Sequence, residues 1–395
     1  MSRIFVTGIG VVSPLGKGVD ENHLALCEGR NGISSLELLK SKFSSTLRFG
    51  EVKIDNEDLK KDFKISNNGI TRTSLLAVHA MSEALADSKL SVNQISSNQT
   101  ALIVANTVGG MCLTDELYRD ANEKTDASPY LSSYDCASTA LFLQDKYQIK
   151  GICNTINTAC SSSANAIMYG ARLIKHGYAK RAIVGGSDSL AKFTINGFNS
   201  LGLLSNDYCK PFDEKRNGLN LAEGSGFLIL ESESEVGNKK IYAELTGYSN
   251  TNDSFHPSTL SENGDGPYSA MINSLKITKL LPSEIAYINT HGTGTQNNDL
   301  VESVAMKRVF ETVPAFASSK SKIGHSLGAS GSIEAVFSLL ALHNQEIYPS
   351  LSFSNVIPET GLIPVTKTQK AVLNNVMCNS FGFGGNCSSL IFSKI

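Results

Sequence analysis

The chain has 395 residues, 41% of them hydrophobic and 18% charged, with a net charge of −2. That length supports two or three ordinary domains with a large core, and the near-neutral balance gives no global attraction to nucleic acid. No apolar run reaches the length of a membrane span, so membrane insertion is not expected.

The N-terminus enters a strand-like segment at 4–7 without a secretory leader. The eight cysteines are scattered and include no Cys-x-x-Cys pair, which argues against a disulfide framework, a redox dithiol or a zinc site and favours the cytoplasm. Further along, periodicity predicts a helix at 74–87, a strand at 100–106, a strand at 151–159 feeding a helix at 161–176, and strands at 181–184 and 226–231. The stretch 247–266, rich in Asn, Ser and Gly, reads as a long loop. A strand at 285–289, a helix at 299–310, a strand at 315–318, a helix at 332–343 and a strand at 388–392 complete the pattern. In the last helix Ile333, Val336, Phe337, Leu340 and Ala341 form one apolar stripe. This alternation predicts an α/β layered protein, dividing near residue 240 into halves 1–240 and 241–395 with βαβ-type units. No internal repeat is evident.

Four motifs carry chemistry. The first is Asn157-Thr158-Ala159-Cys160-Ser161-Ser162-Ser163, at a junction of strand and helix. The positive end of that helix lowers a thiol pKa, and a thiolate is a nucleophile; a small buried core cysteine is the competing reading. The second is Asn289-Thr290-His291-Gly292-Thr293-Gly294-Thr295, ahead of a helix with its N-cap region at Asn298-Asp299. His291 lies among small residues that leave room for a ligand, and an ordinary hydrogen-bonded loop histidine is the alternative.

The third motif runs from Ser318 through Lys320, Lys322 and His325 to Gly331. Lys320 and Lys322 read equally as a solvated surface pair, and Glu334 as a surface helix residue or a partner of Lys320. The run lacks the P-loop pattern. The fourth is Asn379-Ser380-Phe381-Gly382-Phe383-Gly384-Gly385-Asn386, a flexible backbone able to present N–H groups to an oxyanion, or a simple turn. Gly8-x-Gly10 and Gly185-Gly186 do not complete a dinucleotide fingerprint.

One Cys and two His in these settings, with Phe5 to Gly16, Pro211-Phe212-Asp213 through Gly218 and Glu223-Gly224, resemble the β-ketoacyl-acyl carrier protein synthases of the elongating Cys-His-His kind (type I/II). The resemblance covers nearly the whole chain. It implies the thiolase fold, a five-layered α-β-α-β-α arrangement of two similar halves. It also implies decarboxylative Claisen condensation of a Cys-bound acyl chain with malonyl carrier protein, in fatty-acid or specialised polyketide or polyene synthesis.

By the same resemblance Cys160 would hold the acyl chain, and the backbone N–H groups of Cys160 and Phe383 would form the oxyanion hole. His291 and His325 would stabilise the enolate. Lys320, with Glu334, would hold the site electrostatically. Thr293 and Thr295 would bind the pantetheine arm, Phe383 with Gly382 and Gly384 would act as a gate, and Val108 would line the acyl pocket. The implied partners are acyl- and malonyl-loaded acyl carrier protein and a second subunit, identical or related. No metal is expected, and no cofactor beyond the phosphopantetheine carried by the partner.

The chain departs from the family in having Asn386-Cys387 where a Thr-Asn pair usually follows Gly-Phe-Gly-Gly, and in a short segment between Phe198 and Pro211 that offers only Lys210. Docking of the carrier could use Lys60, Lys61, Lys64 and Arg72, or these could be a solvated face. Three other activities compete: a catalytically silent chain-length subunit, a thiolase using Cys378 or Cys387 as base, and a Cys-His hydrolase.

Overall fold

The computed structural model describes residues 3–67 and 69–395. Among the described residues the main path of the sheet, apart from a two-residue strand Gly16–Lys17 that pairs with its first strand, runs through ten strands: β1 (Ile4–Ser13), β2 (Thr100–Ala105), β3 (Cys153–Ile156), β4 (Arg181–Asp188), β5 (Gly224–Ser232), β6 (Ala243–Asn252), β7 (Tyr287–Asn289), β8 (Ala315–Ala317), β9 (Asn375–Gly382) and β10 (Asn386–Ser393). Six helices frame it: α1 (Val19–Glu28), α2 (Arg72–Ser88), α3 (Ser162–Lys175), α4 (Asp265–Thr278), α5 (Gln296–Val309) and α6 (Ser330–Asn344).

The spatial order is β3-β2-β4-β5-β1-β6-β10-β9-β7-β8. β1 and β6 meet through two residue pairs only, Phe5 with Glu244 and Val6 with Ala243, so this is two five-stranded sheets touching at one corner. Within each, the strands follow the same order of chain position, third-second-fourth-fifth-first, with the same parallel and antiparallel pairings. The halves are thus topological copies, which no repeat in the sequence discloses.

Helix α2 covers one outer face, against β1, β5 and β4, while α4 and α5 cover the opposite one. Helices α3 and α6 pack on each other between the sheets and touch strands of both. The result is the five-layered thiolase fold. Burial follows the layers. β1, β2, β4 and β5 are buried along their whole length, as strands covered on both faces must be. Helix α6 is buried from Ser330 to Leu342, so the expected single stripe is a helix enclosed all round, as its central position requires.

Gly8 and Gly10 serve packing. A Cβ at Gly10 would stand 2.0 Å from the carbonyl of Ala80, and one at Gly8 would stand 2.4 Å from that of Ala84. Their lack of a side chain lets α2 lie against β1.

The expected loop at 247–266 is corrected. Gly247 to Asn252 belong to β6, paired to β10, and Asp265 opens α4. The error has a physical source: Asn250 and Asn252 have low strand propensity, and ladder pairing in the sheet overrides it. Among the described residues no helix is long and apolar enough to cross a membrane.

Candidate active site

Cys160 stands between β3 and α3. Ala159 before it is held at φ 53°, a conformation that costs a residue with a Cβ and persists only where the surroundings impose it. This turn places the cysteine at the mouth of α3, whose N-cap is Ser161. A Cβ at Gly382 would lie 2.8 Å from the Thr158 carbonyl and 3.1 Å from the Cys160 nitrogen, so the end of β9 can touch this turn only through a glycine.

His291 follows β7 and His325 follows the short turn of helix at Lys320–Ile323. The donor atoms of Cys160, His291 and His325 all lie within 4.8 Å of one another, and all three residues are buried. The imidazoles meet edge to face, 5.5 Å between centroids.

Hydrogen bonding sets their protonation. The backbone N–H of Leu327 donates to His325 Nδ1 at 3.0 Å, with Ser330 Oγ at 3.1 Å. A backbone N–H can only donate, so the His325 proton resides on Nε2. Lys320 Nζ contacts His291 Nδ1 at 3.3 Å, the His291 carbonyl at 2.7 Å and Glu334 Oε1 at 2.5 Å. Those contacts use its three donors and leave the His291 proton on Nε2 as well. Burial, reinforced by the Lys320 charge, holds both histidines well below the usual imidazole pKa. Both are therefore neutral donors.

Burial pushes the Cys160 thiol up to about 11, against the opposing pull of the Lys320 charge and of hydrogen bonds from the backbone N–H groups of Phe383 and Cys160. The lowering expected from the helix N-terminus is outweighed, because desolvation of a fully buried thiolate is the larger effect. Lys320 and Glu334 are each 1% exposed. The surface readings of these two and of Lys322, whose ammonium is buried and donates to the Pro349 carbonyl, are corrected accordingly.

Glu302 and Asp188 escaped the sequence reading, and Asp299 was read only as part of a helix cap. Glu302 accepts from the backbone N–H groups of His291 and Gly292, each at 2.9 Å. Asp299 accepts from the N–H groups of Thr293 and Phe212, at 2.9 and 2.7 Å. Both sit in the first turns of α5, whose N-cap is Thr295 rather than the expected Asn298-Asp299. Their three-residue spacing just after the histidine loop was the available signal. Asp188, ending β4, accepts from the N–H groups of Thr107, Val108 and Gly328, and burial pushes it up to about 6.

A cavity of about 280 Å³ is lined by Cys160, His291, His325, Thr293, Thr295, Phe381, Gly382 and Phe383. Thr293 and Thr295 share a hydrogen bond of 2.8 Å. Phe383 stacks on Phe198, centroids 5.8 Å apart, so Phe198 joins the wall. Val108 is buried among Leu190, Leu221 and Leu327 and lies outside the lining. Gly384 also lies outside it, its N–H donating to the Pro257 carbonyl. A larger hollow of about 1290 Å³ is lined by none of Cys160, His291 and His325, and the candidate site belongs to the smaller one for that reason.

Asn386 Oδ1 accepts from Ser161 Oγ, Asn165 Nδ2 and Asn250 Nδ2 at 2.7–2.8 Å, tying the Phe383 turn to α3. Cys378 and Cys387 are buried outside the cavity lining, so neither stands as a second cysteine beside Cys160. Among the basic residues considered for docking, Arg72 is turned inward onto Glu223 at 2.7 Å. Lys60 and Lys61 pair with Glu57 and Asp58 on their own helix.

Comparison with known proteins agrees along the whole chain. Residues 1–236 match the family described as Beta-ketoacyl synthase, N-terminal domain, and residues 242–354 match Beta-ketoacyl synthase, C-terminal domain. A protein named 3-oxoacyl-[acyl-carrier-protein] synthase 2 from Synechocystis sp. is 34% identical, covering 99% of this chain and 98% of its own. Among solved structures, the ishigamide ketosynthase/chain length factor superposes with a TM-score of 0.93 at 27% identity, over 100% of this chain and 99% of that one. A type II PKS acyl-carrier protein in complex with its ketosynthase gives 0.90 at 28% identity, over 100% of both.

Proposed function

The chain belongs to the β-ketoacyl synthase family, as a condensing enzyme of the 3-oxoacyl-acyl carrier protein synthase I/II type, and on that premise we propose that Cys160, His291 and His325 carry a two-stage condensation. In the first stage the Cys160 sulfur attacks the thioester of an acyl carrier protein. The oxyanion is received by the N–H groups of Cys160 and Phe383. The thiol proton leaves with the departing phosphopantetheine sulfur, so no net base is consumed.

In the second stage malonyl carrier protein enters. Loss of carbon dioxide moves an electron pair into the thioester, and the enolate oxygen accepts from Nε2–H of His291 and His325. The enolate carbon attacks the Cys160 thioester, a carbon–carbon bond forms, the carbon–sulfur bond breaks, and the thiolate takes a proton. A well-placed donor to such an oxyanion is worth about 3 kcal/mol. Lys320, linked to Glu334, keeps His291 in the donating tautomer. Thr293 and Thr295 hold the pantetheine arm, and Phe383, with Gly382 and Gly384, gates the exchange of substrates.

The partners are acyl- and malonyl-loaded acyl carrier protein and a second subunit, identical or related. Fatty-acid and polyketide products both fit this chemistry, as do the relatives' names. No group beyond the carrier's phosphopantetheine is needed for it.

One observation carries the reading: a thiol and two imidazoles, the thiol distant in the chain from both, converge within 4.8 Å with both imidazoles fixed as donors. Intact-protein mass spectrometry with a panel of acyl carrier proteins tests it. The acyl adduct should vanish in Cys160→Ala. In His325→Ala the adduct should persist while carbon dioxide release from malonyl carrier protein falls at least about a hundredfold. An adduct that survives in Cys160→Ala sinks the assignment.

A further inference from the structure

Far from the condensation site, a second cysteine and histidine converge with a carboxylate. His23 and Cys27 lie four residues apart on α1, one turn above the other on the same face. Glu346 reaches them from a two-stranded ribbon, Glu346–Ile347 with Gln369–Lys370. His23 Nε2 is 3.1 Å from Glu346 Oε2, Cys27 Sγ is 3.3 Å from His23 Nε2, and Cys27 Sγ is 3.4 Å from Glu346 Oε2.

Protons leave one edge of this triangle unbonded. With Nε2 protonated, both it and the thiol donate to one carboxylate oxygen, and the sulfur–nitrogen contact holds no hydrogen bond. With Nε2 bare, its lone pair faces that of the carboxylate. A cation at the centre meets all three lone pairs at once. Tetrahedral zinc, with bonds of about 2.0–2.3 Å, sets its ligand atoms roughly 3.3–3.6 Å apart, so closing the triangle on the metal requires shifts of a few tenths of an ångström.

We propose that His23, Cys27 and Glu346 form a zinc-binding site of three protein ligands with a solvent-filled fourth position, clipping α1 to the Glu346–Lys370 ribbon. The donor set selects the metal: one thiolate, one imidazole and one carboxylate suit zinc, whereas magnesium and calcium want oxygen alone. Binding makes a zinc–sulfur bond, breaks the S–H bond and releases that proton to solvent. The other Glu346 oxygen is held by Lys370 Nζ at 2.5 Å, which orients the carboxylate as outer partners of metal ligands do. Lys370 is 77% exposed, so its charge is screened by water. His23, at 32% exposure, leaves the fourth position open to solvent. The absence of Cys-x-x-Cys hides the site in the sequence, because Glu346 lies 319 residues beyond Cys27.

The Cys160 trio also has metal-binding geometry, so the test uses the full chain in a Cys160→Ala background. After chelator treatment the protein is incubated with zinc chloride at micromolar excess, desalted, and its metal measured by plasma mass spectrometry. We expect one zinc per chain and a raised melting temperature. Adding Cys27→Ser should bring zinc to background and abolish the rise, with the metal-free melting temperature and circular dichroism kept. Cobalt chloride should give a thiolate-to-cobalt absorption in the parent and none in Cys27→Ser. If Cys27→Ser fails to fold, His23→Gln carries the same comparison. No zinc in the parent, or as much zinc in the Cys27→Ser or His23→Gln variant as in the parent, overturns the proposal.

Discussion

At the scale of single residues, the site runs on neutral imidazoles, and that has a consequence for stability. Burial first, then the Lys320 charge, depresses both His291 and His325. The unfolded chain binds protons near pH 6.5 that the folded site refuses. Their contribution is therefore present above that pH and is lost as pH falls from there toward the depressed folded values. Glu302 and Glu334 act oppositely. Burial raises each to about 7, so their contribution is full below the ordinary carboxylate range and is lost as pH rises through about 7. A wild-type profile mixes the two signs, and a variant separates them. We expect the stability advantage of wild type over His325→Asn to shrink between pH 7 and pH 5, by at most about 1.4 kcal/mol per pH unit. Urea unfolding at the two pH values measures this, and a constant difference refutes it. The sequence exposed Cys160, His291 and His325 through their small neighbours. It left Glu334 and Lys322 open to a surface reading, because charged side chains are normally on the surface and only tertiary pairing explains their burial.

At the scale of elements, strands with apolar runs were legible and polar ones were not. β1, β2 and β4 announce themselves through Val, Ile and Leu, whereas the second half of β6 and the end of β9 are read from the sequence as loop and turn. Helix α4 escaped for a related reason, since it follows that polar run and opens with Asp265-Gly266-Pro267. The same scale explains the glycines of β1, which the sequence leaves as an incomplete nucleotide motif. Because Gly10 would bring a Cβ to 2.0 Å from the Ala80 carbonyl, Gly10→Ala should push α2 off the sheet. Overpacking of this kind costs about 1–3 kcal/mol. Denaturant titration should show a lowered midpoint, and an unchanged midpoint would mean that α2 shifts without loss.

At the scale of the whole molecule, the duplicated topology does not make two independent bodies. The sheets share two residue pairs, but one apolar cluster runs from Ile4 and Val6 through Ile167 and Val184 to Phe337, Leu390 and Phe392. Helices α3 and α6 are its middle layer. Either half alone would leave that layer uncovered. We expect one calorimetric transition for the full chain and an aggregating product from residues 1–240 expressed alone. Two resolved transitions, or a soluble monomeric half, would show that the sheets fold separately. The α/β class and layering followed from alternating periodicity, but the copying of one half by the other did not. Strand order and pairing are similar while the sequences filling them are not.

The tautomers fixed by Leu327 and Lys320 also decide what the enzyme can extend with. With Cys160 acylated as proposed, both Nδ1 lone pairs are occupied and both Nε2 atoms already bear hydrogen, so the imidazoles facing the cavity have nothing with which to strip a proton from carbon. A plain acetyl thioester would rest there inert, however well it fitted. Only a unit carrying its carbanion in reserve, masked as a carboxylate, can react. The choice of extender is then enforced by chemistry before shape is consulted.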